Sequence, residues 1–308
     1  MDLERFKTFD RYRALMEDYD AFIEALATPQ PKCAWANPLR IDADALQARF
    51  EAKGMSFRRS TWRPDAFIFP HDAPLGATLD YIQGFYHIQE EIALAAVVAL
   101  DPRPGEKLVD LCAAPGNKTA LAALTMENRG TVIANDFKVG RLSALRFNLE
   151  RLGVLNTAVT HYNAMGFPTE AGPFDKVIAD VPCSCEGTAR RSKGATRGIP
   201  DKVRLKLQRT QGHILRRALA LARPGGALVY ATCTFAPEEN EGVLTDILDA
   251  MEGRAEIVPF EIPGLIGRPG VLKWLDREHR PDVVHARRYL PQDNDTGGFF
   301  VARIEVSP

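Results

Sequence analysis

Apolar residues at Phe6, Phe9, Tyr12, Leu15, Met16 and Tyr19 recur at three- and four-residue spacing with polar residues between them, a pattern that predicts helix in the first thirty or so residues. Thr28-Pro29-Gln30-Pro31 breaks it. Ala34 to Ile41 then reads as a strand, Asp44 to Lys53 as a helix ended by Gly54, and Phe57 to Trp62 as another strand, which together make a small α+β module. Asp72 to Gly84 reads as a Gly-, Pro- and Asp-rich loop.

After Gln89 the pattern changes. An apolar helix over Glu90 to Leu100 precedes Pro102-Arg103-Pro104-Gly105, and buried strands then alternate with helices. The expected strands are Lys107 to Cys112, Gly130 to Asn135, Phe174 to Ala179, Ala227 to Ala231 and Gly298 to Val306. The expected helices are Lys118 to Met126, Lys138 to Leu152, Val203 to Ala222 and Glu238 to Met251. Such alternation predicts an α/β fold with a mostly parallel, doubly wound sheet, whose ligands bind at the carboxyl ends of its strands. The expected division is residues 1–80 for the N-terminal module and 81–308 for the sheet domain.

Composition narrows the class. In 308 residues, 45% hydrophobic and 26% charged, the chain is neither disordered, collagen-like nor a disulfide-stapled miniprotein. The longest apolar run, Ile92 to Leu100, falls short of the ~20 residues of a membrane span. The charged start, MDLERFKTFD, has no apolar signal region. Five cysteines fit a reducing cytoplasm, the expected location, and a monomer without a membrane partner is expected. Net charge is −1, but its distribution is uneven. The first hundred residues hold 11 Lys/Arg against 15 Asp/Glu, whereas Val181 to Arg223 hold 11 against 2. A basic segment inside a neutral chain points to an anionic ligand at one place.

The candidate chemistry lies where strands end. Leu108 to Leu111 runs into Cys112-Ala113-Ala114-Pro115-Gly116-Asn117-Lys118-Thr119, small residues opening a helix, which lets a ligand approach backbone N–H groups. This turn is neither G-x-G-x-x-G nor a phosphate loop, which weighs against a dinucleotide-dependent dehydrogenase. Asp136, 26 residues after Asp110, is placed either to accept from two ribose hydroxyls or to cap the next helix. Asp180 runs into Val181-Pro182-Cys183-Ser184-Cys185, and Ala231 into Thr232-Cys233-Thr234, so thiols sit at two strand ends. An isolated cysteine such as Cys33 is a small apolar core residue. C-x-C lacks the bite of a zinc motif, no His adjoins it, and no C-x-x-C redox pair is present, so no metal is expected.

With these motifs in place, the chain resembles the RNA cytosine-C5 methyltransferases, the family of the bacterial 16S rRNA enzymes and the eukaryotic NOP2/Sun proteins. The matching segments are Leu108–Thr119 (LVDLCAAPGNKT), Asn135–Asn148 (NDFKVGRLSALRFN), Asp180–Arg191 (DVPCSCEGTARR), Tyr230–Glu241 (YATCTFAPEENE) and Gly297–Val301 (GGFFV). Gly84–Glu91 and Ala34–Leu46 resemble the segment before the cofactor domain and the start of a small RNA-contacting module.

The resemblance implies a Rossmann-like class I methyltransferase sheet, S-adenosyl-L-methionine as cofactor, and ribosomal or transfer RNA as substrate, free or within a partly assembled ribosomal subunit. It implies that Cys233 adds to cytosine C6 and makes a covalent adduct. Asp180 would contact the N3/N4 edge of the base, and Cys183 would assist product release. Cys112, Ala113, Ala114, Pro115, Gly116, Asn117 and Lys118 would line the cofactor with Asp136, Arg141, Asn163 and Asp180. Lys118 would reach toward the active site. Asn117 stands where the family usually has a second Gly, and Asn163 where it usually has Asp. Cys185 occupies a small-residue site and receives no role. Arg190, Arg191, Lys193 and Arg197 would hold RNA phosphates around a base turned out of its stack. The rival is a silent RNA-binding or assembly factor on the same fold, against which Cys233, Cys183 and Asp180 argue.

Overall fold

The computed structural model describes residues 4–308. A four-stranded antiparallel sheet forms from β1 (Lys32–Ala36), β2 (Arg58–Arg59), β3 (Ala66–Phe69) and β4 (Tyr86–Ile88), in the order β2-β3-β1-β4. Strand alternation divides its side chains. Ala34, Ala36, Phe67 and Phe69 pack on Leu46 and Phe50 of helix α2 (Ala43–Ala52), while Cys33, Trp35, Ala66 and Ile68 join the core of the large domain. The small sheet therefore takes its fourth strand from beyond residue 80, and one of its faces is shared with its neighbour. The expected strand over Phe57 to Trp62 shrinks to two residues. Ala66–Phe69, four apolar residues outside the expected strands, supplies the inner strand between β2 and β1.

The large sheet contains β5 (Lys107–Asp110), β6 (Thr131–Asn135), β7 (Thr157–Thr160), β8 (Phe174–Asp180), β9 (Ala222–Thr232), β10 (Ala255–Ile257), β11 (Arg268–Pro269), β14 (Arg287–Tyr289) and β15 (Phe299–Val306), with a separate β12–β13 hairpin (Lys273–Trp274 and Arg277–Glu278). Its order is β11-β14-β15-β9-β8-β5-β6-β7, with β10 beside β15. Pairing is parallel among β5 to β9 and antiparallel where β15 meets β9. The expected doubly wound sheet is present, and its order reverses at β5, so a crevice opens at the carboxyl ends of β5, β6 and β8. β7 escapes a sequence reading because its alternation, Thr157-Ala158-Val159-Thr160, is short and only half-buried at an edge.

Helices α4 (Ala95–Leu100), α5 (Asn117–Thr125) and α6 (Val139–Leu152) cover one face of the sheet. Helices α7 (Asp201–Leu221) and α8 (Glu241–Asp249) cover the other. The N-terminal residues form a 3-10 helix, Glu4–Leu15, and α1 (Tyr19–Ala27). Phe6, Phe9 and Tyr12, three apart, lie on one side of the 3-10 turn, and with Phe22 they pack on Phe235 and Trp274 of the large domain. Residues 4–27 thus pack with the large domain.

The two parts are fastened by buried polar groups. Asn37 Nδ2 donates to Gly84 O (2.9 Å) and Leu152 O (2.8 Å). Arg151 of α6 donates to Tyr81 O (2.6 Å), Tyr86 O (3.2 Å) and His87 Nδ1 (2.6 Å). An arginine can only donate, so His87 Nδ1 accepts, and the Nε2–H donates to Asn117 Oδ1 (2.9 Å). Burial, reinforced by the Arg151 charge, lowers the His87 pKa to about 4 and keeps the ring neutral. Asn37→Ala should remove two donors from buried carbonyls and cost on the order of 2–4 kcal/mol in denaturant unfolding, whereas the exposed neighbour change Leu39→Ala should cost little.

Candidate active site

Two loops meet at the carboxyl ends of β8 and β9. Cys183 Sγ and Cys233 Sγ lie 3.4 Å apart, and Cys185 joins them so that the three sulfurs fall within 4.8 Å of one another. Cys112 stands apart from this group. The C-x-C spacing alone does not suggest such a trio, because it forms only when β9 brings Cys233 alongside. Cys185 adopts φ 59°, a left-handed conformation that favours glycine, which turns the chain sharply at this exposed residue. Its sulfur lies 3.4 Å from Cys183 O.

A buried polar network holds these loops together. Glu239 accepts from Ser184 N (2.9 Å), Gln211 Nε2 (2.8 Å) and Arg204 Nη1 (3.2 Å). Glu186 accepts from Arg204 Nη2 (3.2 Å), Tyr12 OH (2.5 Å) and Thr234 Oγ1 (3.2 Å). Ser184 Oγ and Thr234 Oγ1, one residue past each paired cysteine, are 2.6 Å apart. Asn240 accepts from Thr232 Oγ1 (2.6 Å) and donates to Thr234 O (3.1 Å), while Glu241 binds Arg288 through both oxygens (2.5 and 2.6 Å). The Glu-Glu-Asn-Glu run after Cys233 is thus scaffolding for the thiol loops. Arg204 sits in the basic segment, but its role was invisible in sequence because its partners lie 18 and 35 residues away.

The Gly297-Gly298 pair has a related explanation. Gly298 N donates to Gly187 O (2.8 Å), and Gly187 N donates to Cys233 O (2.9 Å). A Cβ on Gly298 would fall 2.1 Å from the Phe235 ring, and one on Gly187 would fall 2.1 Å from Gly298 O. Only glycines let β15 approach the cysteine loop this closely.

Charge at the thiols is uneven. For Cys183, hydrogen bonds with Cys185 and Cys233 and then burial push the pKa well up. For Cys233, the Cys183 contact lowers it, but Cys185 and burial outweigh that and raise it. Hydrogen bonds from the other two thiols hold Cys185 well below its ordinary value, with the Arg191 charge assisting. Asp180, at the end of β8, pairs with Lys118 Nζ (2.7 Å). Burial acts to lower the Lys118 pKa, but Asp180 prevails and keeps the ammonium charged. Lys118 Nζ also lies 5.2 Å from the ring centroid of Phe299.

The β5–α5 turn builds the adjoining cradle. Cys112 is half-buried and Ala113 and Ala114 are buried, while Pro115 is exposed. Gly116 takes φ 103°, and Leu145 leaves no room there for a Cβ. Asp136 Oδ2 accepts from Ala114 N (3.1 Å) and Arg141 Nη1 (3.3 Å), and Oδ1 accepts from Lys138 N (2.9 Å). Asp136 therefore ties the turn to the start of α6, and a lone pair remains for a ligand hydroxyl. Arg141 also donates to Ala114 O. Asn117 directs its side-chain oxygen to His87, and Asn163 accepts from Met165 N (3.1 Å). Sequence reasoning missed Phe137, 62% exposed next to Asp136 and stacked on His161 with centroids 6.4 Å apart. Its signal was an aromatic directly after the strand-end acid. Carboxylate, exposed aromatic face and backbone turn fit the ribose and base of a nucleoside cofactor.

The basic residues separate. Arg190 does not fit its expected contact with RNA. Its side chain is 1% exposed and donates to Thr28 O, Thr28 Oγ1, Pro29 O, Thr296 O and Asp295 Oδ1. A guanidinium so buried and engaged clamps the chain and is closed off from a phosphate outside it. Arg191 is half-exposed and pairs with Glu90 (3.0 Å), while Lys193 and Arg197 are exposed.

No helix among the described residues is long and apolar enough to cross a membrane. Residues 97–305 match the family profile of the 16S rRNA methyltransferase RsmB/F, and residues 6–91 match that of the N-terminal domain of 16S rRNA methyltransferase RsmF. A human relative named 28S rRNA (cytosine(4447)-C(5))-methyltransferase is 32% identical over 92% of this chain and 35% of its own length. Ribosomal RNA small subunit methyltransferase F of Salmonella paratyphi C is 33% identical over 93% of this chain and 59% of its own. The chain thus spans roughly a third to three fifths of these relatives. A crystal structure of a methyltransferase homologue from Pyrococcus horikoshii superimposes with a TM-score of 0.85 at 34% identity, over 99% of this chain and 98% of that one. With the profile covering most of the sheet domain and the thiol and Asp180 loops inside the matched span, the chain belongs to the RsmB/F family of 16S rRNA methyltransferases.

Proposed function

We propose that this protein is an S-adenosylmethionine-dependent RNA cytosine-C5 methyltransferase that works through a covalent Cys233–C6 adduct, with ribosomal or transfer RNA as substrate. The observation that carries the reading is the pair of thiols 3.4 Å apart beside a carboxylate fixed by a buried lysine. Cytosine C5 is a weak nucleophile. Attack of Cys233 on C6 forms an S–C6 bond, the thiol proton passing by way of the Asp180 carboxylate to N3, and moves the ring electron pair toward C5. Asp180 is suited to the N3/N4 edge, where a proton on N3 accommodates the displaced charge, and Lys118 keeps that carboxylate in place. S-adenosylmethionine, held by the Cys112–Asn117 turn and Asp136, supplies an electrophilic methyl group. The C5 proton is then lost to water with the help of Cys183, the S–C6 bond breaks, and the N3 proton returns by way of Asp180 to the Cys233 sulfur. Transfer of labelled methyl to total RNA, followed by bisulfite sequencing, tests the activity and locates the base.

The two thiols should be separable. Cys183→Ala retains the attacking group and lacks the group that assists release, so an RNA–protein species that survives denaturing electrophoresis should accumulate. Cys233→Ala and the double variant should form none. An adduct in Cys233→Ala would exchange the two roles.

Asp136→Ala should weaken S-adenosylhomocysteine binding by about 1–3 kcal/mol in calorimetry, through loss of a charged acceptor. Unchanged affinity would leave Asp136 with only its contacts to the turn, the start of α6 and Arg141.

Asp110, at the end of β5, accepts from Thr119 Oγ1 (2.7 Å), and burial, with the Asp180 charge adding to it, raises its pKa to about 7 from 3.8. Between these values the folded protein keeps a proton that the unfolded chain has lost. Stability therefore falls as pH rises from about 4 to about 7. Asp110→Asn should remove that slope and be more stable than the parent above neutral pH, by at most on the order of 4 kcal/mol. Denaturant titrations at several pH values measure the difference.

A further inference from the structure

The excess of positive charge between Val181 and Arg223 resolves into two populations. Arg190 and Arg204 are buried clamps, Arg191 pairs with Glu90, Arg217 donates to Met165 O and Arg223 pairs with Asp175. The remaining cations are Lys193, Arg197, Lys202, Lys206, Arg209 and Arg216. All six are exposed, and none has a carboxylate within ion-pair distance among the described residues. Four of them lie on α7. Lys202, Lys206, Arg209 and Arg216, with His213 between the last two, follow the spacing 4-3-4-3 and so form one stripe along the exposed side of the helix. No acidic residue occurs between Asp201 and Glu238. An ordinary solvated helix face mixes both signs and forms i,i+4 pairs, which this face does not.

The stripe begins at the active site. Arg204, one turn into α7, is bound to Glu186 and Glu239 beneath the thiol loops. Lys193 and Arg197 immediately precede the helix. From Lys202 to Arg216 the stripe runs about 21 Å, one positive charge for every 5 Å or so along its first half. Along its outer part lies a groove of about 240 Å³ floored by Gly212, Val243 and Ile247 and rimmed by Arg209, His213 and Arg216. The nearby Asp246 is taken by Arg277 (2.6 Å).

We infer that this ridge is a second RNA-backbone site, which carries the strand flanking the target cytosine away from the catalytic loop along α7. The inference rests on the RNA reading above. A repeating row of unpaired cations is complementary to a repeating row of phosphates, and such contacts set affinity and register without selecting sequence. Val203 and Leu205, also exposed on this helix, offer apolar contact to sugars and bases.

The test compares the full chain with the variant Lys202→Gln/Lys206→Gln/Arg209→Gln/Arg216→Gln, using a short and a long oligocytidylate as probes. The parent should bind the long probe more tightly than the short one. The variant should lose most of that difference, at least tenfold in affinity for the long probe. The slope of log K against log salt should become shallower by about 2 to 3, since each lost single-strand phosphate contact removes about 0.7. Its affinity for S-adenosylhomocysteine and its thermal midpoint should match the parent, and the corresponding Lys→Arg variant at 202 and 206 should bind like the parent. Equal long-probe affinity and salt slope in variant and parent would overturn the ridge while leaving the methyltransferase reading intact. A variant that keeps RNA binding but loses binding to polyglutamate would overturn it in favour of an acidic protein partner. Failure of the parent to bind either RNA probe or to methylate total RNA would instead bring down the reading on which the ridge rests.

Discussion

The site depends on holding two thiols at contact distance on separate loops, and Glu239 and Glu186 do most of that. Each accepts from both loops or their supports, and Arg204 lies between them to balance their charge. Buried carboxylates are costly unless every lone pair finds a donor, and here the donors are the loops themselves. The network therefore converts the desolvation penalty into positional constraint. If either loop moved away, a buried charge would be left without partners. Tyr12 extends the constraint to the N-terminal 3-10 helix through its bond to Glu186, so residues far away in sequence help fix the thiols.

A second constraint joins the small sheet to the cofactor turn. Arg151 on α6, His87 on β4 and Asn117 at the start of α5 form a directed chain of hydrogen bonds whose polarity is dictated by the arginine. Neutral His87 passes that polarity on to the Asn117 side-chain oxygen. The Asn117 side chain thus has a partner in the neighbouring module. Cys33, Trp35 and Ile68 also share a core with α4 and α5, so apolar packing runs without a break from one part into the other.

Charge is sorted by depth. Cations that the fold uses are buried or paired, and those left over lie together along one helix. The same sorting explains why Arg190, a phosphate ligand by its place in the linear sequence, is an internal clamp: its three nitrogens are drawn to three carbonyls, a hydroxyl and a carboxylate from segments near residues 28 and 295.

Sequence alone determined the alternation of strands and helices, because buried parallel strands and the helices covering them have distinct apolar periods. It also located Asp136, Asp180, Cys183 and Cys233 at strand ends, since each follows directly on an apolar run. The strands it left out were those without a period to read, β3, β4 and β7, which are short or belong to a sheet completed from distant segments. Only the tertiary structure decided that Cys185 joins the other two thiols, that Glu186 and Glu239 are scaffolding, and that Arg190 is buried. Those properties follow from which strands become neighbours: β8 and β9 are 42 residues apart in chain order, from Asp180 to Ala222, yet are bonded side by side. A local pattern fixes what a segment can become, but the pairing of distant backbones fixes which side chains meet.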